Sequence, residues 1–374
     1  MKILTGIDIP FHPTGGSPLI CNDWYSNLPS NIEVKFLALK PTDKQYDSWW
    51  SMKDVTFLKT EKTKISSEYS NYIKNLYTEV SQIVDEFKPD VIHAQHLNFG
   101  LSRVFSDLDI TIPKLGICHG TDVQWAMNEK FFEDNLIYIT DHIDKLLFPA
   151  KKMATDFFKI YKKYKNYVVN PHGIPDKYYV DNLVLPTFDG KRELKVLYAG
   201  RLLTIKGAHI AVESLKYTKN KVVLTIIGNE DESGYKEKLN TIIRDGLLNS
   251  VIFENQVPRD TLISLFNNYD LIVFPSVAIE AFSLTTIEAQ STGLPVVYAR
   301  AGGIADAVGN SGIIIEPNTP QELATIFDNI FDNPNLLSEY QQKGYKNALN
   351  FKMSDRRAAL FQITKDLIKE KTNL

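Results

Sequence analysis

The sequence is short of several things, and each shortage excludes a class of protein. Its 374 residues contain only two cysteines, Cys21 and Cys118, too few for a disulfide framework and at no zinc-ligand spacing. No run of about 18 apolar residues occurs, and the start "MKILTGIDIPFHPTGG" has no apolar stretch of signal-peptide length before its prolines and glycines. An excess of one charge is missing too. The formal net charge is -3 and the pI is near 6.2, which gives no whole-chain attraction to nucleic acid or anionic lipid. The G-x-G-x-x-G dinucleotide fingerprint is absent, so nicotinamide chemistry has little support. These shortages point to a reduced, cytoplasmic chain that does not span a membrane.

What the chain does have is alternation. Short apolar, β-rich runs are separated by longer amphipathic ones, the pattern of helices packed on parallel strands. In the first half, strands are predicted at Lys2–Ile9, Val34–Leu39, Val91–Ala94, Lys114–Cys118 and Leu146–Pro149. A helix over Glu68–Phe87 stops before "KPD", where Pro89 disfavours continuation. The alternation breaks in "NPHGIPDKYYVDNLVLPTFDGKREL", at Pro171, Gly173, Pro175, Pro186 and Gly190. It resumes with "KVLYAG", "KVVLTIIG", "VIFEN", "DLIVFPS", "PVVYA" and "GIIIEP". The chain is long enough for two cores, and the pattern predicts an α/β domain over 1–172, a linker over 173–193 and a second α/β domain over 194–352. The final stretch, from Met353, reads as a helix capped by Ser354 or Asp355.

Several strand ends carry chemistry. In "YAGRLLTIKGAHIAVESL" a strand ends at Ala199, and Arg201 and Lys206 follow in the turn before a helix, where ligands of open α/β sheets bind. A guanidinium and an ammonium together suit a diphosphate; a solvated basic loop is the plainer reading. In "IEAFSLTTIEAQSTGLPVV" two glutamates, Glu280 and Glu288, have seven residues between them. A helix starting near Leu284 or Thr285 would leave the N–H groups of Ser283 to Thr286 as orphan donors for a phosphate, with the hydroxyls of Ser283, Thr285 and Thr286 close by. The two carboxylates would then face one strand-end crevice and accept hydrogen bonds from sugar or ribose hydroxyls, or be no more than a capping acid and a surface acid.

In "CHGTD", His119 and Asp122 read as a general base pair, as metal ligands with His93 and His96, or as a satisfied polar turn. Gly15 and Gly16 of "TGGSPL" let a backbone approach a ligand closely, or form a plain turn. The cluster Tyr46, Trp49 and Trp50 offers stacking faces for a sugar, or packs on its own domain. The basic segment Lys151 to Tyr167 reads as an outer helix with a solvated lysine face, with contact to an anionic membrane as the alternative.

Taken in order, "TGG", "HGTD", "GRLLTIKG", "EAFSLTTIEAQSTGLPVV" and "AGG" resemble the retaining glycosyltransferases of the GT-B fold, family four (glycosyl transferases group 1). The resemblance implies two Rossmann-like domains facing across a cleft, a nucleotide sugar held by the second, an acceptor held by the first, and a last helix, 353–374, that returns to the first. It implies that Arg201 and Lys206 hold the diphosphate, that Glu280 contacts the donor sugar and Glu288 the ribose, and that His119 lies beside the transferred sugar. Gly16, Ser283, Leu284 and Thr285 would line the donor site, and Trp49, Trp50 and Asp122 are candidates for the acceptor side.

The implied activity is metal-independent, retaining transfer from a UDP-sugar, or next a GDP-sugar, to a hydroxyl of a glycan, lipid-linked, protein or small-molecule acceptor. No cofactor and no nucleic-acid partner are expected, and peripheral membrane contact stays open. The competing readings are a non-catalytic nucleotide-sugar-binding subunit and an epimerase or phosphorylase on the same fold. The sequence departs from the family at Ser283, where glycine is common, at His172, where asparagine is usual, at Pro175, where an acid is usual, and at Asp306, near a position often held by glutamate.

Overall fold

A computed structural model describes all residues except 14, 43, 45, 46, 64–67, 110, 164, 185, 186, 279, 373 and 374. The chain divides into two compact units, Met1–Gly173 with Met353–Leu374, and Ile174–Lys352.

The first unit is built on seven strands: β1 (Lys2–Pro10), β2 (Glu33–Leu39), β3 (Val55–Phe57), β4 (Val91–Gln95), β5 (Lys114–Ile117), β6 (Lys145–Phe148) and β7 (Tyr167–Val169). They lie in the order β3-β2-β1-β4-β5-β6-β7, all parallel. Strands covered by helices on both faces read as continuous apolar runs, and β4, β5 and β6 are buried throughout. The edge strands β3 and β7 are three residues each and partly exposed. They carry too little apolar signal to be anticipated.

The long helix Tyr69–Phe87 ends at Lys88, which takes the left-handed conformation (φ 51°) ahead of Pro89. The last helix begins at Met353, so Ser354 and Asp355 lie in its first turn rather than before it. It runs to Thr372 and buries Leu360, Phe361, Thr364 and Leu367.

The second unit has six parallel strands: β8 (Leu194–Ala199), β9 (Val222–Ile227), β10 (Val251–Glu254), β11 (Leu271–Phe274), β12 (Val296–Ala299) and β13 (Ile313–Ile315). Their order is β10-β9-β8-β11-β12-β13. Residues from 174 onward, read from sequence as a linker, pack as part of this unit. Ile174 and Tyr178 enter one of its cores and Phe188 the other. Proline and glycine interrupt regular structure there, but the apolar residues between them still find cover. Each sheet reverses its strand order once, between β1 and β4 and between β8 and β11. The crevice at such a switch point, outside the carboxyl ends of the strands, is where doubly wound folds bind ligands.

Candidate active site

In the second unit the loops leaving β8 and β11 meet at the switch point. Gly207 makes the meeting possible: its φ is +76°, and a Cβ there would lie 1.9 Å from the Pro275 carbonyl oxygen, so any other residue would push the loops apart. Val277 N–H donates to the Ile205 carbonyl at 2.9 Å. Across this seam Lys206 Nζ lies 2.7 Å from Glu280 Oε2, with side chains 26% and 13% exposed. The other Glu280 oxygen accepts the Ser276 hydroxyl, a contact the sequence does not signal. Glu280 is fixed through its backbone as well, since its carbonyl accepts the Gly303 N–H at 2.7 Å. A Cβ on Gly303 would sit 1.9 Å from the Ala281 oxygen.

Arg201 is held more loosely. Its guanidinium pairs with Asp231 at 2.7 Å, both side chains about half exposed. Exposed pairs of this kind contribute about 0–1 kcal/mol, so little opposes re-aiming the arginine onto a ligand. The helix Leu284–Ser291 starts where the pattern suggests, after an extended and buried Ser283 (φ -104°, ψ 102°) that makes no side-chain cap. Its first N–H groups therefore have no partner within the helix. Leu284 and Thr285 are half-buried beside them. Thr286, expected to add a hydroxyl, instead donates it back to the Ser283 carbonyl at 2.7 Å and is buried.

Glu288 is held by a different cation. It is buried, and Arg259 Nε lies 2.6 Å from its Oε1, with the guanidinium 5.1 Å above the Tyr178 ring. Each glutamate thus has its own cation, Lys206 for Glu280 and Arg259 for Glu288. Nothing local in "VPRDTL" ties Arg259 to a position 29 residues away.

In the first unit the strand ends carry His119, Asp122 and the start of the helix Gly16–Tyr25. Gly16 is exposed, and a Cβ there would meet nothing within 4 Å; the chain itself does not demand glycine at that point. His119 is buried, with Nε2 2.8 Å from Gln95 Oε1. Burial lowers its pKa to about 4, against a smaller upward pull from Asp122, so the ring is neutral at ordinary pH.

Asp122 is a fastener rather than a base. Its carboxylate accepts the N–H groups of Leu97 (3.1 Å), His119 (3.1 Å), Gly120 (2.7 Å) and Val123 (3.0 Å) with no exposure. Those four bonds occupy the lone pairs a proton or an acceptor would need. His93 and His96 are spent on Tyr25, Thr364 and Thr121. Among the described residues no group of three or more His, Cys, Asp or Glu is placed to hold a metal.

Trp49 donates its indole N–H to the Phe11 carbonyl at 3.0 Å and packs 5.0 Å from the Phe11 ring, while Trp50 lies 5.5 Å from Phe57. Both are half-buried on their own unit; Tyr46 lies outside the described residues. His172 is buried 6.2 Å from His119, and burial pushes its pKa well down. Asp306 is exposed in the first turn of the helix Gly303–Val308. The lysine-rich segment forms the helix Lys151–Ile160, shorter than the basic stretch. Its Lys152 and Lys159 both pair with the buried Asp156, and Lys163 beyond it pairs with Asp141. Among the described residues no helix is long and apolar enough to cross a membrane.

Residues 187–347 match the family model described as "Glycosyl transferases group 1". A D-inositol 3-phosphate glycosyltransferase of Catenulispora acidiphila is 30% identical over 176 residues, covering 44% of this chain and 41% of that protein. The chain spans about two fifths of the length of such curated relatives. Among solved structures, a sucrose-phosphate synthase from Thermosynechococcus elongatus superposes with a TM-score of 0.81 at 16% identity, over 99% of both chains. Anabaena HepE, in complex with UDP and glucose, gives 0.79 at 19% identity, over 98% of this chain and 99% of that one. The fold is the GT-B fold, and the chain resembles the group 1 glycosyltransferases.

Proposed function

We propose that this chain is a retaining glycosyltransferase that moves a sugar from a nucleoside-diphosphate sugar to an acceptor hydroxyl. The observation that carries the reading is the meeting of Lys206 and Glu280 at 2.7 Å on the switch point of the second sheet, beside the exposed Arg201 and ahead of the uncapped helix start at Leu284. A cation pair and orphan N–H groups suit a diphosphate; a fixed carboxylate suits sugar hydroxyls. UDP is the favoured nucleotide, because HepE is described with UDP and with UDP-glucose; GDP is next.

As the bond between the anomeric carbon and the phosphate oxygen breaks, its electron pair passes to the diphosphate. Arg201, Lys206 and the helix start stabilise that growing charge more than they stabilise the ground state. The acceptor oxygen bonds to the same face of the sugar, and its proton passes to the departing phosphate. Glu280 orients the sugar, while Arg201 and Lys206 supply the counter-charge without a metal. For the ribose to reach Glu288, its hydroxyls must share that carboxylate with Arg259. The acceptor class is a hydroxyl on a glycan, a lipid-linked glycan, a protein or a small molecule.

The test is thermal stabilisation against UDP-, GDP-, ADP- and TDP-sugars without added metal, followed by product analysis. A ligand at 100 times its Kd stabilises the folded state by about 2.7 kcal/mol. One sugar nucleotide and its bare nucleotide should both raise Tm, and transfer should keep the anomeric configuration. No shift with any of them would favour a non-catalytic relative; an inverted product would refute the mechanism.

A further inference from the structure

Behind His119 runs a line of buried polar groups. His119 Nε2 lies 2.8 Å from Gln95 Oε1. Gln95 Nε2 lies 3.1 Å from Thr5 Oγ1 and 2.8 Å from Tyr25 Oη. Tyr25 Oη is 2.8 Å from His93 Nδ1, and His93 Nε2 is 3.0 Å from Thr364 Oγ1 on the last helix. Thr5, His93, Gln95 and Thr364 have no exposure, and Tyr25 has 2%.

Counting hydrogens gives this line a direction. Thr364 has one hydroxyl hydrogen, committed to the Leu360 carbonyl at 2.8 Å, so His93 Nε2 must donate to it. A neutral imidazole has a single N–H, and burial lowers the His93 pKa to about 3. Its Nδ1 is therefore bare and receives the Tyr25 hydrogen. The Thr5 hydrogen is taken by the His93 carbonyl at 2.8 Å. Tyr25 and Thr5 can then only accept, which uses both hydrogens of the Gln95 amide. The amide oxygen is left facing His119, whose Nε2 must carry the hydrogen. Run in reverse, with the amide turned over, the line would set the Gln95 oxygen against Thr5 Oγ1, whose one hydrogen is already used. His119 Nδ1, buried, has no hydrogen-bond partner among the described residues.

We propose that Gln95 is a positioning residue that holds His119 as its Nε2–H tautomer, so that the imidazole keeps a bare Nδ1 and serves its strand end as a hydrogen-bond acceptor and not as a donor or acid. The tautomer follows from the hydrogens of the line alone; that the imidazole serves a sugar rests on the glycosyltransferase reading.

The experiment is long-range proton–nitrogen NMR of the ligand-free full chain labelled with 15N-histidine, with His119 assigned by its loss in His119→Asn. Wild type should show a protonated Nε2 and a bare Nδ1. Gln95→Leu should leave His119 a mixture of tautomers. Gln95→Glu, close in shape should the leucine variant not fold, sets a carboxylate against Nε2–H and should raise the His119 midpoint by at least about one pH unit. The other groups facing His119 are Asp122, His96 and His172, which both variants leave in place. An Nδ1–H tautomer in wild type, or an unchanged spectrum and midpoint in a folded Gln95 variant, overturns the proposal. If the spectra behave as expected while wild type transfers no sugar, the tautomer stands and the glycosyltransferase reading falls.

Discussion

Replacing Lys206 by alanine removes one member of a part-buried ion pair and, in the proposed reaction, one of the two cations that receive the leaving charge. The stability cost lies between the about 1 kcal/mol of an exposed pair and the about 3–5 kcal/mol of breaking a buried one. With side chains 26% and 13% exposed, and with Glu280 keeping its bond from Ser276, about 2 kcal/mol is expected. For a unit of this size that lowers Tm by roughly 4–8 °C, leaving a folded protein at assay temperature. The catalytic cost is larger. Loss of one preorganised donor raises the barrier by about 3 kcal/mol, or about 150-fold in kcat. The assay is release of nucleoside diphosphate by the folded variant, with saturation in the donor identified by the thermal screen. A fall in kcat and in kcat/KM together marks a contact made in the transition state, whereas a rise in KM alone would mean ground-state binding only. A folded Lys206→Ala protein with wild-type kcat would refute the charge argument altogether.

Arg259→Met should leave Glu288 buried without its arginine partner and cost about 3 kcal/mol, measured by denaturant unfolding; a change below about 0.5 kcal/mol would show that the pair does not hold the helix Leu284–Ser291 in place. Gly303→Ala forces a Cβ to within 1.9 Å of the Ala281 oxygen, so it should destabilise by about 1–3 kcal/mol and displace Glu280, with transfer falling more than stability alone explains. Burial lowers the His93 pKa to about 3, below its unfolded value of about 6.5. Its contribution is therefore complete above pH 6.5 and is lost as pH falls toward 3, because the unfolded chain takes up a proton the native one refuses. His93→Gln should reduce the slope of stability between pH 4 and 6 by about 1.4 kcal/mol per pH unit, read from urea unfolding at each pH; an unchanged slope would mean that His93 is already protonated in the folded protein.

The strands and helices that frame both switch points were legible because parallel strands buried on two faces leave unbroken apolar runs, and the helix start at Leu284 followed from "TTIEAQS". The edge strands Val55–Phe57 and Tyr167–Val169 were not, since three half-exposed residues leave no period to read. Residues after Ile174 read as a linker from their prolines and glycines, but Ile174, Tyr178 and Phe188 are buried. In the candidate site, Lys206 beside Glu280 was within reach of local motifs. Arg259, Ser276 and Gln95 were not, because what matters about them is which distant or looped-back side chain they face. Asp122 stayed open between base, metal ligand and satisfied polar turn, because a carboxylate two residues after a glycine at a strand end reads alike in all three; the four N–H groups around it match the polar turn.

The first unit is discontinuous in the chain, and this bears on the order in which the protein is made. Its last helix buries Leu360, Phe361 and Thr364 but leaves the ribosome only after the whole of Ile174–Lys352. At roughly 5–20 residues per second, a nascent first sheet would wait roughly 10–40 seconds for its cover. The second unit, unbroken in sequence, can close while the first is still open. For that interval the apolar surface destined for the helix is one that a chaperone could hold, and the hydrogen-bond line behind His119 lacks its far end until Thr364 arrives.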